Sequence, residues 1–142
     1  MSAYLDTSVL IPALIAETAT EAVFDWLGAN RELLVSDFAA AEVASALSRL
    51  VRMGRLASAD AFARLADFDA WRAAMSSPVE IRPVDAQLAN IFARRFELAL
   101  RAPDALHLAM VRRLDASLIT LDRRLAAAAR DLDIAVETPT GS

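Results

Sequence analysis

Cysteine is absent from the 142-residue chain, and so is lysine: all 15 basic residues are arginine. Without thiols there is no disulfide, no thiolate nucleophile and no Cys-ligated zinc. Without lysine there is no Schiff base, no phosphate-loop lysine and no lysine general base. Glycine is scarce, at 3 residues (Gly28, Gly54 and Gly141), which leaves no glycine-rich dinucleotide fingerprint. The single histidine, His107, cannot support a multi-histidine metal site. No apolar run approaches the ~20 residues needed to span a bilayer, so no membrane partner is expected. The segment Met1 to Asp6 lacks the basic start of a secretory leader, and a core free of cysteine fits a reducing cytoplasm. What remains for chemistry is carboxylates, hydroxyls and arginines.

The composition is 56% hydrophobic and 24% charged, as expected of a packed interior under a solvated surface. The length suits one domain over residues 1–142. The formal net charge of −4 looks unfavourable for a nucleic-acid binder. Net charge, however, reports on solubility and long-range steering rather than on a local site.

Strand and helix patterns alternate along the chain. Short strands are expected at Tyr4–Asp6, Leu33–Val35, Val79–Ile81, Ser117–Thr120 and Ile134–Val136. Helical spacing covers Val9–Ala16, a segment from Thr20 to Gly28, Phe38–Met53, Ser58–Met75, roughly Asp85–Leu98, Pro103–Leu114 and Arg123–Asp131. Thr138 to Ser142 reads as a frayed tail. This alternation predicts the α/β class with a largely parallel sheet.

In such sheets ligands collect beyond the carboxyl ends of the strands. Asp6 ends the first strand, Asp122 follows the fourth, and Asp104 stands beside Pro103 in the first turn of a helix. Glu42 falls about 40° around its helix from Ala46, at the margin of the apolar stripe. Each of the aspartates could simply serve a helix N-terminus, as capping residues commonly do. Together, four carboxylates in one crevice repel unless cations join them. Oxygen donors without His or Cys favour Mg2+ or Mn2+ over zinc, and those ions suit phosphodiester hydrolysis.

The segments Asp6-Thr7-Ser8, Ala41-Glu42-Val43-Ala44-Ser45-Ala46-Leu47, Asp104-Ala105-Leu106-His107-Leu108-Ala109 and Thr120-Leu121-Asp122-Arg123-Arg124-Leu125 occur in that order. The ordered set resembles the PIN-domain family, specifically the VapC-type toxins of bacterial toxin–antitoxin pairs, over nearly the whole chain. The resemblance implies a PIN-like three-layer α/β/α sandwich around a central, mostly parallel sheet. It also implies an RNA-cleaving nuclease that uses Mg2+ or Mn2+, is inhibited by a small VapB-type antitoxin and forms homodimers. Asp6, Glu42, Asp104 and Asp122 then match the acidic quartet. Asp6 and Asp104 would be the main metal ligands, Glu42 a ligand or water-orienting group, and Asp122 the second-metal side. Ser8 and Thr120 match supporting hydroxyls.

Among the arginines 94, 95, 101, 112, 113, 123 and 124, Arg101 and Arg123 are the better candidates for RNA phosphates, and the rest are expected on a solvated surface. His107 is expected to be packed rather than part of the site, and Trp26, Phe62, Phe68 and Trp71 to lie in the core. Two other functions compete with nuclease action. One is phosphotransfer on an acidic α/β scaffold, disfavoured by the missing lysine and by Ser8 standing where D-x-D phosphatases need an acid. The other is a nuclease-like fold serving as a non-catalytic RNA- or protein-binding module.

Overall fold

The computed structural model describes residues 1–28 and 31–140, so Gly141 and Ser142 of the expected tail lie outside the described residues. Five strands, β1 (Ala3–Leu5), β2 (Leu33–Ser36), β3 (Ser76–Val79), β4 (Ser117–Ile119) and β5 (Val136–Glu137), form one sheet in the order β3-β2-β1-β4-β5. Every pairing is parallel, with Tyr4 opposite both Leu34 and Leu118. The helices are α1 (Thr7–Leu14), α2 (Thr20–Leu27), α3 (Asp37–Arg52), α4 (Ser58–Met75), α5 (Pro83–Ala93), α6 (Ala102–Leu114) and α7 (Arg123–Asp131).

Successive side chains of a strand point to opposite faces, and the two apolar clusters follow that alternation. Tyr4, Leu34 and Leu118 pack with Ala89 and Phe92 of α5, Leu108 and Val111 of α6, and Leu125 and Ala129 of α7. Ala3, Leu5, Leu33, Val35 and Ile119 pack with Val9 and Leu10 of α1, Val23 of α2, Val43 of α3 and Phe68 of α4. The sheet is therefore sandwiched between two helical layers, as expected. Among the described residues no helix is long and apolar enough to cross a membrane.

Most element boundaries shift by a few residues from the sequence pattern, and three shifts have a clear physical reason. The third strand, expected at Val79–Ile81, runs over Ser76–Val79 and takes in Pro78. That is tolerated because β3 is an edge strand, where a missing N–H leaves no ladder bond unmade. The helix expected from about Asp85 begins earlier, at Pro83, since proline's fixed φ suits a first helical turn. The helix expected to reach Leu98 stops at Ala93; a 3-10 turn over Phe96–Leu98 and a left-handed Ala99 (φ 52°) then turn the chain into α6. Phe62, expected in the core, is 71% exposed, whereas Phe68 is 3% exposed.

The end of α3 is closed by a glycine. Gly54 has φ +70°, a conformation open to glycine because it carries no Cβ. Its N–H bonds to the Val51 carbonyl at 3.0 Å, and the Arg55 N–H bonds to the Leu50 carbonyl at 2.9 Å. This paired closure satisfies the last carbonyls of the helix and holds Arg55 against the end of α3.

Candidate active site

The strand order reverses direction at β1: β2 and β3 lie to one side, β4 and β5 to the other. Such a switch point opens a crevice beyond the carboxyl ends of the two central strands. Asp6, the residue after β1, stands there as the N-cap of α1. Thr120 and Asp122 follow β4, with Asp122 as the N-cap of α7.

Asp6 is only 4% exposed, and both of its carboxylate oxygens accept from hydroxyls. Ser8 Oγ donates to Asp6 Oδ1 at 2.6 Å, and Thr120 Oγ1 donates to Oδ2 at 2.8 Å. Both hydroxyls are themselves anchored, Ser8 by the Leu121 N–H at 2.8 Å and Thr120 by the Asp122 N–H at 3.0 Å. Burial raises the Asp6 carboxyl above its ordinary range. The Ser8 and Thr120 bonds and His107 pull the other way without cancelling it, and the neighbouring charge of Asp122 adds to the rise.

Asp122 uses Oδ1 to accept the N–H groups of Arg124 at 2.9 Å and Leu125 at 3.2 Å. Asp104 closes the first turn of α6 by accepting the Arg101 N–H at 3.2 Å. Both aspartates therefore do serve helix N-termini, and both also line one crevice together with Arg101 and Arg124. Arg101 Nε lies 3.8 Å from Asp104 Oδ2, on a side chain that is 79% exposed. Arg123 is exposed at the start of α7.

Glu42 is engaged by a different set of partners. Thr7 Oγ1 donates to its Oε1 at 2.7 Å, and His107 Nε2 pairs with the same oxygen. His107 Nδ1 meets the Tyr4 hydroxyl at 2.6 Å, and that hydroxyl meets Ser36 Oγ at 2.8 Å. Phe38 packs against the imidazole with ring centroids 5.1 Å apart. The result is a buried chain, Ser36–Tyr4–His107–Glu42, that fixes where the glutamate points. Burial raises the Glu42 carboxyl, but the bond and charge of His107 and the Thr7 hydroxyl outweigh it, so the net shift is downward.

His107 is thus packed, as expected, yet it also holds one of the four acids. Its position three residues after Asp104, on the same face of α6 one turn on, was the available signal. The partner itself could not be inferred from spacing, because Glu42 lies 65 residues away on another helix.

Of the expected four acids, Asp6 and the Asp122 backbone share Thr120, and Asp122 lines a crevice with Asp104. Glu42 is held separately, by Thr7 and His107. Among the described residues, no three acidic or imidazole side chains converge tightly enough to ligate one ion together. The donors still fit a hard cation, because Mg2+ is commonly held by one or two carboxylates with waters completing the octahedron. A buried carboxylate raised by burial and by a second carboxylate is a site that a divalent ion would relieve.

The sequence matches the PIN domain family over residues 3–131, and the chain belongs to that family. Within it, the chain is similar to Ribonuclease VapC35 of Mycobacterium tuberculosis (strain ATCC 25618 / H37Rv), at 30% identity over 143 residues, which span 96% of each protein. Among solved structures it resembles M. tuberculosis VapC20, described as a sarcin-ricin loop cleaving toxin, with a TM-score of 0.70 and 17% identity. That match covers 89% of this chain and 94% of the other. It also resembles a toxin–antitoxin complex from Klebsiella pneumoniae, with a TM-score of 0.70, 19% identity and 99% of each chain covered. At these identities the two structures establish the fold.

Proposed function

We propose that the chain is an endoribonuclease toxin of a toxin–antitoxin pair, hydrolysing RNA phosphodiesters with Mg2+ or Mn2+. The observation that carries this reading is Asp6: a buried carboxylate at the switch point, braced on both oxygens and facing the charge of Asp122. Membership of the PIN family and the 30% identity to a ribonuclease over 96% of the chain support it.

A divalent cation at this site would orient water, favour its ionisation and stabilise the departing oxygen. Asp6 and Asp104 are assigned as its main ligands and Asp122 as the carboxylate on the second-metal side. Ser8 and Thr120 keep the Asp6 carboxylate in one orientation. Glu42, whose Oε1 is already engaged by Thr7 and His107, is assigned to orienting the attacking water. Arg101 and Arg123 are assigned to phosphate contacts at the crevice mouth.

A small antitoxin is the assigned protein partner. An apolar groove lined by Leu10, Leu14, Phe24, Leu27, Phe68 and Trp71 offers it a seat, as amphipathic helices use such grooves. Homodimer formation belongs to the same reading, and exposed apolar side chains such as Phe62 and Phe96 could supply a surface for it.

Incubating purified protein with RNA, in Mg2+ or Mn2+ and separately in EDTA, tests the reading. Cleavage with cation and none in EDTA is expected. Undiminished cleavage in EDTA would remove the metal assignment. A protein that neither cleaves RNA nor binds divalent cations would instead be a binding module.

The Glu42–His107 bond has its own consequence. Loss of an outer partner of a metal or catalytic carboxylate commonly costs about 10–100-fold in activity, so His107→Leu should lower kcat by that order. His107→Gln, which keeps a donor at similar reach, should recover part of the loss. Equal activity in the two variants would mean that the imidazole only packs.

A further inference from the structure

One face of α3 leads away from the site and carries charge that the chemistry above leaves unused. Residues 42, 45, 46, 49, 52 and 53 recur at helical spacing, so Glu42, Ser45, Arg49 and Arg52 line the same side. They bound a groove of about 510 Å³, together with Thr7 at one end and Arg55 at the other. That size falls in the range of sites that hold ligands. Along the axis Arg49 stands about 10 Å, and Arg52 about 15 Å, beyond Glu42.

The arginines of this groove differ from most others in the chain. Arg31, Arg72, Arg82, Arg95, Arg101 and Arg113 each lie within ion-pair distance of a carboxylate. Arg112 donates to the Leu132 carbonyl and covers the Phe92 ring, and Arg94 is tied to Asn90. Among the described residues Arg49, Arg52 and Arg55 have no carboxylate within that distance. Among the described residues, the one side-chain hydrogen bond these three make joins Arg52 to Ser48 at 2.6 Å.

All three are exposed, and the Gly54 closure keeps the Arg55 backbone against the helix end. The acidic members of the groove are Glu17 and Glu42, and Glu42 is already paired with His107. Arginines near a helix C-terminus also complement its dipole, but that role does not require them to line one groove with Thr7 and Glu42.

We propose that this groove is a phosphodiester track, in which Arg49, Arg52 and Arg55 hold the RNA strand on one side of the scissile bond. The proposal rests on the ribonuclease reading and extends it from the cleaved bond to the flanking strand. It places a positive channel on a protein of net charge −4, so substrate would be drawn to one locality rather than to the whole surface.

The test compares wild type with Arg49→Ala, Arg52→Ala, Arg55→Ala and the triple variant, all at exposed positions. Cleavage is measured on single-stranded RNAs of about four and about sixteen nucleotides, a range that spans known strand-site sizes. Binding of the longer RNA is measured in EDTA across a salt series. In the triple variant, the advantage of the longer RNA in kcat/KM should fall about ten-fold or more. The slope of log Kd against log salt should shrink by about 0.7 for each arginine removed.

If wild type cleaves RNA but the triple variant keeps both the long-substrate advantage and the slope, the track is refuted and the ribonuclease reading stands. If wild type binds RNA with the arginine-dependent slope but never cleaves, the track stands and the ribonuclease reading fails. Unchanged RNA binding with a weakened hold on the antitoxin would assign the groove to a protein partner and overturn the proposal.

Discussion

Asp6→Asn is expected to abolish measurable RNA cleavage while raising the melting temperature of the metal-free protein. The loss of activity follows from the assigned role: several kcal/mol of transition-state stabilisation by a cation corresponds to about three orders of magnitude in rate. The gain in stability follows from the electrostatics. Burial, with Asp122 nearby, lifts the Asp6 carboxyl above its ordinary value in the folded chain. An acid whose folded value is raised costs stability once it ionises. That cost appears as pH rises from the ordinary aspartate range, about 4, through the folded value, and it is fully present above that value.

Asparagine removes the charge and leaves Ser8 and Thr120 a polar partner. At neutral pH in EDTA the variant should therefore melt above wild type. Adding Mg2+ or Mn2+ should stabilise wild type by mass action and leave the variant nearly unmoved. Thermal melts with and without cation, alongside a cleavage assay, measure both effects. A variant less stable than wild type in EDTA would mean that the two hydroxyl bonds outweigh the cost of the buried charge.

Asp85→Ala is expected to cost about 3 kcal/mol of stability, toward the low end for breaking one side of a buried pair. Asp85 is 1% exposed. Arg113 grips it with two bonds, Nε to Oδ1 at 2.7 Å and Nη2 to Oδ2 at 3.0 Å, while the Arg82 N–H donates to Oδ2 at 2.8 Å. Arg113 also reaches the Glu80 carbonyl at 3.0 Å, so the pair ties α6 to α5 and to the segment before α5. The variant would strand Arg113 at a site where its side chain is 17% exposed. At about 3 °C per kcal/mol for a chain of this size, the melting temperature should fall by about 10 °C.

Burial raises the Asp85 carboxyl, but the Arg113 and Arg82 bonds and charges overcome it, and the net shift is downward. A lowered folded value gives stability that is present above the ordinary aspartate range and lost as pH falls through the folded value. Wild type should therefore lose stability more steeply than Asp85→Asn below about pH 4. Parallel pH profiles for the two proteins would contradict this account of the pair.

The alternation of strands and helices, and the placing of Asp6, Asp104 and Asp122 where strands end and helices begin, were legible in the sequence. Both depend on local signals: apolar period, hydroxyls at helix starts, and proline or glycine at the ends. Partners chosen across the fold were not legible. Nothing local marks Asp85 as buried, yet it is the most completely buried carboxylate described, and only the packing of α6 on α5 brings Arg113 to it.

The same applies to His107, whose bond to Glu42 depends on how α3 and α6 meet beyond the sheet. The arginines of α6 looked like a basic surface, but Arg112 and Arg113 are consumed within the structure. Those at the end of α3 carry no local signal, because each, taken alone, is an ordinary residue of a helix end. The early stop of α5 had no glycine or proline to announce it. It reflects the turn through Ala99 that lets α6 run back along α5.

On the proposed reading Asp6 and Asp104 are the main ligands of a divalent cation needed for RNA cleavage. Titrating Mn2+ into wild type and into Asp6→Asn and Asp104→Asn by isothermal calorimetry addresses this assignment most directly, because binding is read without cleavage. Saturable binding by wild type, weakened at least about ten-fold in both variants, is the predicted result. Unaltered Mn2+ affinity in either variant would contradict it.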